Sequence, residues 1–146
     1  MYLLDTNVIS ELRHGKAGAS PAVLAWAASK PISAHYLSAI TVLEMDYGVK
    51  RLRAMTPPQG QQLTAWVTRV LDAFEGRVLA FDLTVARRCA SLHVTGTLAD
   101  RDTMIAATAL VHRMTVVTRN VRHFEGSGVP IYDPWTFDPA NPGSTP

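Results

Sequence analysis

Apolar residues fall into two kinds of pattern along the chain. Short continuous runs occur at Tyr2-Leu3-Leu4, Val78-Leu79-Ala80-Phe81 and Thr115-Val116-Val117-Thr118, with weaker ones at Ile32–Tyr36 and Pro130-Ile131-Tyr132. Continuous rather than alternating apolar character suits strands buried on both faces of a parallel sheet. Between these runs the period is helical. Leu63, Trp66, Val67, Val70, Leu71 and Phe74 recur at the spacing of one helix face. Pro57-Pro58 before them and Gly76 after them are start and stop signals in the expected order. Ser38 predicts a capped helix running to about Arg53. Further helices are expected over Pro21–Ser29, Thr84–Val94 and Asp102–His112. Strands alternating with helices imply an α/β fold around a parallel sheet.

Composition narrows the class. A chain of 146 residues has the length of one domain. It can bury roughly 70% of its unfolded surface and needs no metal or disulfide staple to fold. An apolar fraction of 47% excludes a disordered polymer, and a single cysteine excludes a cysteine-framework secreted domain. Asp5 interrupts the N-terminal apolar run, and no uncharged stretch reaches the ~20 residues of a membrane span. The expectation is a soluble cytoplasmic protein with no membrane partner. A net charge of +2 permits a nucleic-acid partner without arguing for one. Phe137–Pro146 carries three prolines and no periodicity, and is expected to be a flexible tail after a domain spanning 1–136.

Three acids stand where chemistry is expected. Asp5 follows the first strand, and ligand sites in parallel sheets lie beyond strand carboxyl ends. Asp5 also suits a helix cap, a role Asn7 fills equally well. Glu44 falls on a helix face with Ile40, Leu43 and Tyr47, read here as facing the core. A carboxylate there must be paired, neutralised or bound to a cation. Asp102 opens a helix in phase with Ile105, Ala106 and Ala109. It also suits the first turn through the helix dipole alone. Three converging anions repel, and a divalent cation resolves that repulsion. Oxygen-only donors suit Mg²⁺ or Mn²⁺. Such a site activates water and stabilises charge on a phosphoryl group.

The order of these motifs resembles a known family. Leu4-Asp5-Thr6-Asn7-Val8-Ile9-Ser10, Ser38–Glu44 with Tyr47-Gly48-Val49, Asp102–Ala109, and Thr118–Phe124 resemble, in sequence, the four motifs of PIN-domain ribonucleases of the VapC/FitB toxin type. The resemblance covers roughly residues 1–135. It implies a three-layer α/β/α sandwich around a central parallel sheet. It implies a Mg²⁺- or Mn²⁺-dependent endoribonuclease, the toxin of a toxin–antitoxin pair, silenced by a cognate antitoxin and forming a homodimer. Asp5, Glu44 and Asp102 carry over as catalytic and metal-binding acids, with Thr6, Asn7 and Thr118 as polar support. Many such domains carry a fourth acid in the last motif, where this chain has Asn120 and His123. Asn120 offers a further oxygen to a metal. His123 is read as a surface histidine, its alternative being a nitrogen donor that favours Mn²⁺.

Arg13, His14, Lys16, Arg119 and Arg122 are candidate phosphate contacts at the rim, each also readable as a solvated charge. Trp66 is read as core, and Trp26 is divided between core and a groove for an antitoxin segment. Two alternatives stand beside the nuclease. One is a PIN-like interaction module without activity, which the missing fourth acid keeps open. The other is a phosphohydrolase with Asp5 as nucleophile, disfavoured because Asn7 replaces the second acid of a D-x-D signature.

Overall fold

A computed structural model describes residues 1–93 and 100–141. Five parallel strands are present among them: β1 (Tyr2–Leu4), β2 (His35–Ser38), β3 (Val78–Leu79), β4 (Thr115–Val117) and β5 (Ile131–Tyr132). Their order across the sheet is β3-β2-β1-β4-β5. Leu3 pairs with Tyr36 on one side and Val116 on the other, so the apolar runs of β1 and β4 are the middle of the sheet.

The helices are α1 (Thr6–Glu11), α2 (Pro21–Ala28), α3 (Ala39–Met55), α4 (Pro57–Ala73), α5 (Leu83–His93) and α6 (Asp100–Val111). They cover both sheet faces. Leu3, Val116 and Ile131 pack with Val85, Cys89, Ile105 and Ala106 of α5 and α6. Leu4, Leu37, Val117 and Tyr132 pack with residues of α1, α2, α3 and α4, among them Val8, Trp26, Met45 and Val67. The architecture is therefore the expected three-layer α/β/α sandwich. Alternate side chains of each strand enter opposite cores, which explains why the runs are apolar without interruption. Leu3, Leu4, Val116 and Val117 are fully buried, each worth roughly 1.5–3 kcal/mol over exposure. Ala106, Ala107 and Ala109 are buried too, and their small side chains let α6 lie close to the sheet.

Several expectations are corrected. The run Ile32–Tyr36 is split: Ile32–Ala34 forms a 3-10 turn, and the strand covers His35–Ser38. Pro31 starts that turn, and Ile32 is exposed, so the strand begins only where burial begins. The strand at Val78 is two residues long rather than four. Pro57 and Pro58 lie inside the first turn of α4 rather than ahead of the helix, because proline fits positions whose N–H has no helical partner. Phe137, assigned to the tail, is buried in the α2–α4 core. No helix among the described residues is long and apolar enough to cross a membrane.

Candidate active site

The chain builds β2 and β3 on one side of β1, then crosses over to build β4 and β5 on the other. A crevice opens beyond the strand ends at such a switch point. Asp5 and Thr118 are the first residues past β1 and β4 and face each other across it.

Asp5 is 5% exposed, and its carboxylate is almost fully engaged. Oδ1 accepts the Thr6 N–H at 2.7 Å, so Asp5 is the N-cap of α1. Oδ2 accepts the Asn7 amide at 2.7 Å and the Thr118 hydroxyl at 2.6 Å. These three bonds use all but one of about four acceptor positions. Asn7 does not share the capping role expected for it. It links the two strand ends, donating also to Thr118 Oγ1 at 3.0 Å and accepting the Arg119 N–H at 3.3 Å. Burial pushes the Asp5 carboxyl above the usual aspartate range. The bonds from Thr118 and Thr6 oppose that rise, and the charges of Asp102 and Glu44 add to it.

Glu44 reaches the site from α3, which Ser38 caps by accepting the Thr41 N–H at 3.0 Å. The face assigned to Glu44 is corrected. Ile40, Thr41, Met45 and Val49 are buried, whereas Leu43 and Tyr47 are 54% and 57% exposed. Glu44 therefore stands at the border of the core, not against it. Its Oε2 accepts the Thr6 hydroxyl, and its Oε1 lies 3.6 Å from Arg101 Nη1. Asp102 projects from the first turn of α6, with Oδ2 3.0 Å from His123 Nδ1.

Asp5, Glu44 and Asp102 line one open cavity of about 410 Å³. Thr6, Asn7, Ser10, Asn120 and His123 complete its wall. Asn120 and His123 thus stand at the cavity itself, and His123, an exposed histidine as expected, is also tied to Asp102. Among the described residues, no three acidic, histidine or cysteine side chains enclose a cation by themselves. The donor set still fits a hard divalent ion of the Mg²⁺ kind. Such an ion keeps several waters and needs only one or two carboxylates, and Asp5 presents one vacant, directionally fixed lone pair.

The candidate phosphate contacts are dispersed. Arg13 lies over the Trp66 ring and, with His14, lines a different cavity of about 580 Å³ between the loop after α1 and the α3–α4 pair. Lys16 is paired with Glu11. Arg119 lies 5.4 Å from the Trp135 ring centre, and Arg122 is exposed. None of these lines the acid cavity. Trp26, divided between core and groove by sequence, is fully buried in the core, whereas Trp66 packs half-buried against that core and also lines the second cavity. Sequence reasoning missed Ser10 and Arg101. Ser10 is one helical turn beyond Thr6, a spacing that could have revealed it. Arg101 adjoins Asp102 in a first turn, where a cation is unexpected.

The PIN domain family matches residues 2–126, a segment that contains every residue lining the acid cavity. This chain belongs to the PIN-domain family. Its relatives include the VapC ribonuclease Y4jK of Sinorhizobium fredii, 44% identical over 144 residues and covering 92% of this chain and 98% of that one. Toxin FitB of Neisseria gonorrhoeae is 38% identical over 145 residues, covering 92% and 99%. The crystal structure of FitAcB from Neisseria gonorrhoeae superposes with a TM-score of 0.85 at 36% identity, over 94% of this chain and 100% of that one. The PIN-domain family accounts for the parallel sheet with helices on both faces. It leaves Asn120 and His123 as features to be explained in this chain.

Proposed function

We propose that this PIN-domain protein is a divalent-metal-dependent endoribonuclease and the toxin of a toxin–antitoxin pair. The observation that carries the reading is the meeting of Asp5, Glu44 and Asp102 in one cavity at the switch point of the sheet. The relatives named VapC ribonuclease and toxin FitB support it.

Asp5, Glu44 and Asp102 would hold Mg²⁺ or Mn²⁺, with Asn120 as a further oxygen donor. A bound divalent cation supplies a lowered water pKa and charge neutralisation at the phosphoryl group. Thr6, Asn7 and Thr118 fix the Asp5 carboxylate so that its remaining lone pair has one direction. Thr6 also donates to Glu44, coupling two of the acids through one side chain. His123 holds Asp102 in position from the opposite wall. Water adds to phosphorus, the bond to the 3′ oxygen breaks, and that oxygen takes a proton. The products are a 5′-phosphate and a 3′-hydroxyl.

The antitoxin would occupy the groove between α1 and α4. Two adjoining cavities that share Trp66 and Arg69 would form it: Ile9, Val70 and Phe74 give one an apolar floor, and Arg13 adds a second cation beside Arg69 in the other. That chemistry fits an apolar segment carrying acidic residues. A homodimer would cover exposed apolar side chains such as Met55 and Leu83, and Met55→Glu tests this by shifting sedimentation toward the monomer. The protein would act in the cytoplasm, where RNA is available.

The deciding experiment is cleavage of a labelled RNA pool by the full chain in Mg²⁺, in Mn²⁺ and in EDTA, beside Asp5→Asn. Cutting is expected in either metal, absent in EDTA and reduced at least a hundredfold in the variant, about 2.7 kcal/mol of barrier or more. Cyclic-phosphate ends would overturn the hydrolytic route. Absence of cutting in every buffer, with antitoxin binding retained, would turn the reading to a binding module.

A further inference from the structure

A polyanion must approach three carboxylates, yet the cations expected to receive it line other surfaces. One cation does stand at the edge of the acid cavity. Arg101 is the second residue of α6 and adjoins Asp102. The first turn of a helix carries partial positive charge and disfavours a cation. The Arg101 side chain leans away from that turn toward α3. Its Nη1 lies 3.6 Å from Glu44 Oε1, and its guanidinium carbon lies 5.6 Å from the Tyr47 ring centre.

The Arg101 side chain is 52% exposed and Tyr47 is 57% exposed, whereas the Glu44 side chain is only 20% exposed. At 3.6 Å from Glu44, with its guanidinium half in water, Arg101 is only loosely held by that one carboxylate. Glu44 engages at most part of a guanidinium that has five N–H donors. The Tyr47 ring holds the plane in place without consuming those donors. Arginine forks bind phosphate oxygens in a bidentate manner. Single-stranded RNA is recognised by such cations together with aromatic faces.

We propose that Arg101, positioned by Tyr47, binds an RNA backbone phosphate beside the one that is cleaved. The ligand is single-stranded RNA, and the inference rests on the ribonuclease reading above. Arg101 offsets the repulsion between the strand and the three carboxylates, and it sets where the strand enters the cavity. Tyr47 is a positioning residue and acts through the guanidinium.

The test is fluorescence anisotropy of a labelled single-stranded RNA 12-mer of mixed sequence, bound to the full chain in EDTA so that nothing is cut. Titrations run from roughly 50 to 200 mM salt. Arg101→Ala is expected to weaken binding about tenfold and to lower the salt slope by about 0.7, the loss of one phosphate contact on a single strand. Arg101→Lys should restore the slope but only part of the affinity, because the planar fork is gone. Tyr47→Ala should lose less than Arg101→Ala, and Tyr47→Phe nothing. In cleavage, Arg101→Ala should raise KM and leave kcat close to the parent. Thermal melts verify folding, and Arg101→Gln replaces the alanine variant if that does not fold.

Parent affinity and parent salt slope in Arg101→Ala overturn the inference and leave the nuclease standing. A fall in kcat alone also overturns it, since Arg101 then serves only Glu44. Altered sedimentation of the variants overturns it in favour of a contact between two copies of the chain. Failure of the parent to bind RNA overturns this inference, while the ribonuclease reading is decided separately by cleavage in Mg²⁺ and Mn²⁺.

Discussion

A carboxylate with all but one of its lone pairs occupied is a directional donor, and Asp5 has become one through three separate residues. Thr6 holds it from the helix it caps, Asn7 from the next position, and Thr118 from a strand more than a hundred residues away. The same logic governs a second acid, Glu11, which works for stability. It accepts the Ser20 N–H at 2.6 Å and pairs with Lys16, tying the end of α1 to the loop before α2. The Lys16 hydrogen bond, and after it the Ser20 N–H, hold its carboxyl below the usual glutamate range. A depressed carboxyl contributes stability above its unfolded pKa and loses it as pH falls through the lower folded value. Glu11→Gln should therefore cost about 1 kcal/mol near neutral pH, one hydrogen bond's net contribution. Thermal melts of parent and variant should converge as pH drops below about 4.5. A gap that persists unchanged into acid would remove the ionic component.

At the scale of elements, the site depends on how closely helices approach. α3 and α4 form a hairpin, and Gly60 is its closest point. A Cβ at that position would lie 2.6 Å from Arg53 Cα and 2.7 Å from Arg53 N. Backbone cannot yield as a flexible side chain would, so α4 would have to move off α3. Gly60→Ala is expected to destabilise the fold by about 1–3 kcal/mol, the usual range for overpacking, despite alanine's better helix propensity. Urea denaturation measures this, and a stabilised variant would show that propensity outweighs the clash. The same hairpin orients the exposed side of α3 that carries Leu43, Glu44 and Tyr47, so its displacement should also disturb the cavity. The split near Ile32 belongs to this scale as well. Burial, not local apolarity, sets where β2 begins, because Ile32 is 64% exposed and Leu37 fully buried.

For the molecule as a whole, the switch point at β1 is both the middle of the hydrophobic sandwich and the place where like charges gather. Asp5 carries the conflict, since its burial and the Asp102 and Glu44 charges all act against its ionised form. A divalent ion binding the folded chain should relieve that conflict and stabilise the fold by mass action, about 2.7 kcal/mol at a hundred times its Kd. Differential scanning calorimetry should show the melting temperature rising with Mn²⁺ in the parent and not in Asp5→Asn. An equal rise in both proteins would assign the ion to another part of the surface.

The sequence by itself determined the class of fold and singled out the three acids that the structure brings into one cavity. Strands buried on both faces must be continuously apolar, and Tyr2–Leu4 and Thr115–Val117 are. Ser38 caps α3 through an interaction confined to four residues, and such local bonds can be read along the chain. The acids were legible through their motifs, in order, more than through helical phase. The phase argument for Glu44 placed the core stripe too far round the helix, because Ile40 is buried but Leu43 and Tyr47 are exposed, and Met45 and Val49 take their place in the core. The tertiary structure alone decided the rest. Thr118 reaches Asp5, His123 reaches Asp102 and Arg101 reaches Glu44 only because the crossover from β3 to β4 folds the last third of the chain back beside β1. Trp26 lies in an almost uniformly apolar helix and Trp66 on the apolar face of an amphipathic one, and packing buries the first and leaves the second lining a groove. Local pattern reports what a residue can bury or bond within a turn or two. Partners brought together across the sheet are set by topology, which no short window of sequence contains.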